Sequence, residues 1–413
     1  MSRKRTMLVL AVALAATCLT LPASAQLSVP PTPDVGSEGR YLDPSFSFSR
    51  THGDVPYGEA VNSRGELQTL TLDVFEPADD PEEFRPAVIW VHGGFFARGN
   101  KSDVEFLHDL TRRGYVTVPI NYRIRPEQEV SIPALIGDPT LAPAFIETVR
   151  DAQHDALAAI RWVRANAAEL RVDPGRVVIA GHSAGGLTTF NAVFNHEDEG
   201  DSGNPGWPSR PTAGLAGAGA YGSGVTGRPP LPGDAPILVM HGTNDTTVPM
   251  ATSTAPCAQT IVAGNVCEMR IYPGGGHGLP NADRGLVSTN FLYRHVIGAE
   301  RVPTGFADVA ATAHGEAVTA TGRLVTDQGD PVAGARILGR ATSGWAETTT
   351  DADGTFALIV QAPDHGRSVD VKLRYEGHYT GDSGLPFTPH QIGPRPLEPT
   401  HSTATATWGG GRS

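Results

Sequence analysis

Positive charge is scarce in this chain. Its 32 Lys and Arg stand against 44 Asp and Glu, leaving a net charge of −12. A surface short of cations argues against a nucleic-acid partner, whose phosphates need them. Metal and nucleotide motifs are also missing: there is no H-E-x-x-H, no Cys/His cluster and no convincing Rossmann fingerprint or Walker loop. No metal and no cofactor is therefore expected. Long apolar runs are confined to the start. Arg3, Lys4 and Arg5 precede a nearly all-apolar stretch over 7–21, and Ala23-Ser24-Ala25 has the small-x-small form of a cleavage site before Gln26. Residues 1–25 are expected to be a signal peptide. With no later run of 18 apolar residues, the remainder is expected to be secreted, extracellular or periplasmic, and not an integral membrane protein. Cysteine is rare. Cys18 lies in the signal, and Cys257 and Cys267 are expected to form one disulfide in an exported chain. Two free buried thiols are the alternative.

What the chain has in abundance is Gly (48) and Pro (34), which favour turns over long helices. Residues 26–40 read as a flexible leader. From residue 41 short apolar runs at 69–75, 87–91, 116–120, 177–180, 237–240 and 269–272 have the look of buried parallel strands. Helical spacing appears between them at 103–112, 147–169, 185–195 and 286–296. Strands alternating with helices predict an α/β unit over 41–300, a mostly parallel sheet covered on both faces. Residues 123–145 and 196–211 read as long loops. Beyond a linker at 301–315, short strand-like runs separated by Asp-Pro and Asp-Gly turns predict a smaller all-β sandwich over 316–392. A disordered tail is expected at 393–413.

Gly181-His182-Ser183-Ala184-Gly185 is a G-x-S-x-G pentapeptide between a strand-like run and a helical one. That is the setting of a nucleophile elbow, a turn so tight that its flanks must be small. A serine hydroxyl needs a base, and the base a carboxylate. Asp245, just past the run 237–240, fits the acid; His277, within Gly274-Gly275-Gly276-His277-Gly278, fits the base. Both follow strand ends, where open α/β sheets build their sites. His92-Gly93-Gly94-Phe95 follows the run 87–91 and fits an oxyanion loop, with backbone N–H groups of Gly93, Gly94 and Phe95 acting beside that of Ala184. His182 and His241 read as structural, His295 sits late, and Asp234 precedes its strand and so lies at the wrong end of the sheet.

Residues from about 69 to 300 resemble bacterial carboxylesterases of the α/β-hydrolase superfamily, near the hormone-sensitive-lipase and feruloyl-esterase-like groups. The motifs that carry this are His92-Gly93-Gly94, Asn121-Tyr122-Arg123, Asp173-Pro174-Gly175-Arg176, Gly181-His182-Ser183-Ala184-Gly185-Gly186 and Ser202-Gly203-Asn204-Pro205-Gly206. The resemblance implies an α/β-hydrolase fold with Ser183 as nucleophile, Asp245 as acid and His277 as base. One departure is Phe95, where many such esterases have a third Gly. Residues 318–362 resemble a carboxypeptidase-regulatory-like β-sandwich through Gly322–Asp327, Gly334-Ala335-Arg336-Ile337 and the stretch Thr350-Asp351-Ala352-Asp353-Gly354-Thr355-Phe356; that implies a fold and no chemistry. The expected activity is hydrolysis of carboxylic esters, small or polymer-linked, with short acyl groups preferred. A serine peptidase of the prolyl-oligopeptidase type is the alternative enzyme, against which Ala184 stands where those relatives carry an aromatic. A non-catalytic binding module with a relic triad is the third reading.

Overall fold

The apolar runs become strands of one sheet. In the computed structural model the described residues are 40–102, 104–128, 134–135, 138–223, 226–297, 304–326, 329–341, 344–361, 368–375 and 400–407. The expected signal peptide, the leader up to residue 39, and 393–399 and 408–413 of the expected tail lie outside them. Strands β1 (Phe48–Val61), β2 (Leu67–Pro77), β3 (Arg85–Val91), β4 (Val116–Ile120), β5 (Val172–His182), β6 (Ala213–Gly217), β7 (Ile237–Gly242) and β8 (Cys267–Tyr272) form an eight-stranded sheet in the order β1-β2-β4-β3-β5-β6-β7-β8. β1 and β2 are antiparallel, as are β2 and β4, whereas β5 to β8 run parallel. With flanking helices α1 (Glu105–Arg112), α2 (Ala142–Ala165), α3 (Ala184–Phe194), α4 (Ala251–Val262) and α5 (Asn281–Leu292), this is an α/β-hydrolase fold.

Burial explains why the central strands were readable. Every residue of β3, β4 and β7 is buried, so their sequences are mostly apolar, with Arg85, Thr117 and His241 the polar exceptions, and do not alternate. Three elements were not anticipated. β1 is an edge strand of mixed polar residues whose register slips three times against β2. β6 reads Ala-Gly-Leu-Ala-Gly. α4 carries Pro256 within it. The long helix begins at Ala142, so the expected loop 123–145 is shorter, and Pro126–Gln128 and Pro139–Leu141 each form one 3₁₀ turn.

The chain divides into two compact units. One holds the described residues up to Ala78, with Val88–Trp162 and Val178–Tyr293; the other holds Asp79–Ala87, Val163–Val177 and the described residues from Arg294 onward. Within the second unit, β9 (Thr304–His314), β10 (Ala317–Thr326) and β13 (Thr355–Gln361) make a sheet in the order β13-β10-β9. A second sheet has the order β12-β11-β14-β15, from β11 (Arg336–Ala341), β12 (Gly344–Thr349), β14 (Ser368–Tyr375) and β15 (Thr400–Thr407). Both sheets feed one core that includes Val318, Ile337, Phe356, Val371 and Ala406. Two expectations are corrected. Residues 304–314 of the expected linker are a strand paired along β10, with Val309, Ala311 and Ala313 packed on the core. Residues 400–407 of the expected disordered tail are a strand paired along β14. Their alternation of Thr with Ala404 and Ala406, both buried, has the period of two that a half-buried strand requires.

Candidate active site

β5 delivers Ser183 into a turn that only this local sequence permits. Its backbone stands at φ 57°, ψ −120°, a region that costs a non-glycine residue about 1–3 kcal/mol. The turn is held by the Ser183 N–H, which donates to the Gly217 carbonyl at 2.9 Å. A Cβ on Gly185 would overlap the Val91 carbonyl, and one on Gly181 would overlap the Gly185 carbonyl. α3 starts at Ala184, so the Ala184 N–H belongs to the first turn, which has no intrahelical acceptor.

The three residues expected to act together are brought together. His277 Nε2 lies 2.9 Å from Ser183 Oγ, and His277 Nδ1 lies 2.8 Å from Asp245 Oδ2. A carboxylate only accepts, so Nδ1 carries the proton and Nε2 presents its lone pair to the Ser183 hydroxyl. Asp245 Oδ1 accepts the N–H groups of Thr247 and Val248, each at 2.9 Å. Ser183 and Asp245 are buried, while the His277 side chain is about a quarter exposed (26%). The loops that carry acid and base are joined to each other: Asn244 N–H donates to Gly275 O at 2.8 Å, Thr243 N–H to Tyr272 O at 3.1 Å, and Gly274 N–H to Thr243 Oγ1 at 2.8 Å.

Two further imidazoles stand by this chain. His241, fully buried, donates from Nε2 to Val248 O at 2.8 Å, passes 3.3 Å from Asp245 Oδ2, and accepts the Ser253 hydroxyl at Nδ1 at 2.7 Å. Burial lowers its pKa. His182 lies with its ring centroid 5.1 Å from that of His277. Burial pushes its pKa down to about 3, with smaller contributions from His277 and Arg284, so both neighbours are neutral. His241 was read as a packing residue; its place four residues before Asp245 is the signal that ties it to the acid loop. Asp234 pairs with Arg228 at 2.7 Å.

Beyond β3 the loop turns sharply against the nucleophile. A Cβ on Gly93 would stand 3.1 Å from His182 O and 3.3 Å from Ser183 Cβ, so backbone approaches Ser183 where a side chain would intrude. Gly94, Phe95 and Phe96 follow at φ 115°, 58° and 60°. The carbonyls of this loop are engaged: Gly94 O accepts Ala97 and Arg98 N–H at 3.0 Å, and Phe96 O accepts Arg125 N–H at 2.7 Å. His92 stacks on Tyr122 at 4.4 Å, and the Tyr122 hydroxyl donates to His92 O at 3.1 Å. Beside Ser183 opens a hollow walled by Phe95, Phe96, Phe145, Leu187, Thr247 and Val248. Cys257 and Cys267 are joined by a disulfide (S–S 2.10 Å) linking α4 to β8. Among the described residues no group of His, Cys, Asp and Glu is placed to hold a metal, and no helix is long and apolar enough to cross a membrane.

Residues 72–206 match the BD-FAE family and residues 229–296 the prolyl oligopeptidase family. The chain is similar to para-nitrobenzyl esterase of Bacillus subtilis (34% identical over 151 residues, 35% of this chain and 27% of that protein). It is also similar to phenmedipham hydrolase of Pseudarthrobacter oxydans (30% over 148 residues, 35% and 25%) and to carboxylesterase NlhH of Mycobacterium tuberculosis (35% over 107 residues, 24% and 26%). The chain thus spans about a quarter of the length of these relatives. Among solved structures, Thermogutta terrifontis esterase 2 phosphonylated by cyclosarin aligns at 25% identity with a TM-score of 0.49, over 59% of this chain and 94% of that one.

Proposed function

We propose that this chain is a secreted serine hydrolase of carboxylic esters. The observation that carries the reading is the continuous hydrogen-bond path from Ser183 Oγ through His277 to Asp245. The esterase relatives, matched over parts of their length, agree with it. Ser183 attacks the ester carbonyl as His277 Nε2 takes its proton, and the negative oxygen that forms is met by backbone N–H groups of the Gly93–Phe95 loop and of Ala184. His277 then protonates the leaving alkoxide. Water repeats the sequence on the acyl-enzyme and frees the acid. Asp245 keeps His277 in the Nδ1–H form throughout. The alcohol part is small or polymer-linked, the acyl part short, and export rests on the signal-like first 25 residues. Ser183, Asp245, His277 and the Gly93–Phe95 loop all lie in the first unit. The two-sheet core of the second unit and the turn in which Asp351 accepts the Thr355 N–H at 2.9 Å support the carboxypeptidase-regulatory-like reading of 318–362.

A second reading, a peptidase of the prolyl-oligopeptidase type, is favoured by the family match over 229–296. Nitrophenyl esters and peptide anilides assayed in parallel separate the two. The test of the mechanism is Ser183→Ala, which is expected to fold normally and lose roughly 10⁶-fold in turnover, with His277→Ala close behind because the three groups act as a unit. A folded Ser183→Ala protein that kept a few per cent of the activity would refute the assignment.

A further inference from the structure

The loop after β3 is held through its carbonyls. In a trans peptide the C=O of one residue and the N–H of the next point in opposite directions, so fixing a carbonyl aims the N–H that follows it. The N–H groups of Gly93, Gly94 and Phe95 each follow a carbonyl that is engaged. His92 O accepts the Tyr122 hydroxyl at 3.1 Å. Gly93 O lies 2.7 Å from His92 Nδ1; a carbonyl only accepts, so Nδ1 carries the proton. Gly94 O accepts the Ala97 and Arg98 N–H groups at 3.0 Å. The second and third of these anchors belong to the loop itself. The first comes from outside it, from the segment after β4.

The loop needs such an anchor. Phe95 and Phe96 stand at φ 58° and 60°, where a non-glycine backbone stays only if its surroundings hold it. Tyr122 is itself firmly set. It is 2% exposed, its ring stacks on His92 at 4.4 Å and it meets Phe96 edge-on at 6.2 Å. Burial pushes its pKa well up, so the hydroxyl keeps the proton it donates. Its chain neighbours are tied to two further elements. The Asn121 N–H donates to Thr71 O on β2 at 2.9 Å. The Arg123 N–H donates to the fully buried Asp155 on α2 at 2.8 Å.

We propose that Tyr122 is a positioning residue for the oxyanion hole: its hydroxyl, by holding His92 O, sets where the Gly93 N–H points, and turnover depends on that bond. Tyr122 acts through the His92–Gly93 peptide and does not touch the substrate. This step rests on the ester-hydrolase reading above. Negative charge reaches the hole only as the tetrahedral intermediate forms, so a misaimed donor lowers kcat and spares KM.

The experiment uses the full chain as wild type, Tyr122→Phe, Tyr57→Phe and a variant with p-aminophenylalanine at position 122. It measures kcat and KM on nitrophenyl butyrate, inhibition by butylboronic acid, and melting curves. The boronic acid adds to Ser183 Oγ, and its tetrahedral adduct places a boron-bound oxygen where the oxyanion forms. Tyr122→Phe is expected to lose roughly tenfold in kcat, with KM moved less than about twofold and boronate inhibition weakened by a factor like that in kcat. This is the scale of one neutral hydrogen bond, and it falls below the roughly hundredfold or more that follows outright loss of an oxyanion donor. Tyr57 is equally buried and donates to Asn121 O at 2.7 Å. Tyr57→Phe is therefore expected to cost similar stability and leave kcat within about twofold. The aminophenyl side chain keeps a donor and is expected to stay within about threefold of wild type in kcat, which keeps the test alive should Tyr122→Phe misfold. Three results overturn the inference and leave the hydrolase reading intact. They are an unchanged kcat in folded Tyr122→Phe, an equal loss of kcat in Tyr57→Phe, and a tenfold or greater loss in the folded aminophenylalanine variant. No ester turnover by folded wild type overturns the hydrolase reading itself.

Discussion

Lowering the pH should destabilise this protein through His182 before it reaches the carboxylates. The ring lies against His277, and burial, with smaller contributions from its neighbours His277 and Arg284, holds its pKa down at about 3 against an ordinary value of 6.5. A depressed histidine pKa means that the folded state refuses a proton which the unfolded chain accepts. Stability from this source is therefore complete above about pH 6.5 and is lost as pH falls toward 3. At pH 5 the unfolded chain lies about one and a half units below its pKa, which at 1.36 kcal/mol per unit gives a loss of about 2 kcal/mol. Three other histidines, His108, His196 and His241, are shifted the same way, so wild type alone does not isolate the effect. The comparison is with His182→Gln, which keeps a neutral polar side chain and removes the titration. Urea unfolding of both proteins at pH 8 and pH 5 should show the stability of wild type relative to the variant dropping by about 2 kcal/mol. A difference that is the same at both pH values would show that His182 titrates normally in the folded protein, and the reasoning would fail.

Gly185→Ala should abolish soluble, active protein, because the added methyl meets the Val91 carbonyl and the elbow has no room to relax; an active, normally melting variant would show that the turn is looser than described. Replacing Cys257 and Cys267 together by Ala should lower stability by about 2–3 kcal/mol, the loop-closure entropy of a short loop, read as a shift in urea midpoint. His241→Phe should leave the fold standing but cut kcat by roughly tenfold or more with KM little moved, since it removes the donor that holds Val248 O over the acid loop; an unchanged kcat would make His241 a packing residue only.

Much of the site was legible because its residues follow strand ends, and those strands announce themselves as unbroken apolar runs. Ser183, Asp245, His277 and the Gly93–Gly94 loop all stand just past such runs. β6 was illegible for a reason internal to the site. A Cβ on its Gly214 would come 2.8 Å from Val193, and one on Gly217 would come 3.0 Å from His182 Nδ1, so the strand must be built of residues with low strand propensity. α4 was hidden by Pro256, which local rules read as a break. β15 was hidden by a composition of Thr, Ser and Ala that resembles a solvated tail. Phe145 and Ser253 had no signal at all. Their roles depend on what they meet across 49 and 12 positions of sequence, Phe96 and His241 respectively, and no local pattern carries that.

The loops after β7 and β8 are stitched by three hydrogen bonds, and the carboxylate and imidazole ride on them. Acid and base therefore behave as a single preassembled part, while the nucleophile belongs to a different part built from β5 and α3. Warmth and mild denaturant are then expected to act first on the contact between these parts. The gap expected to open first is the one between hydroxyl and imidazole, with the imidazole still oriented by its carboxylate. Activity lost ahead of unfolding would then recover on cooling, because the half of the machinery that is hardest to align never comes apart.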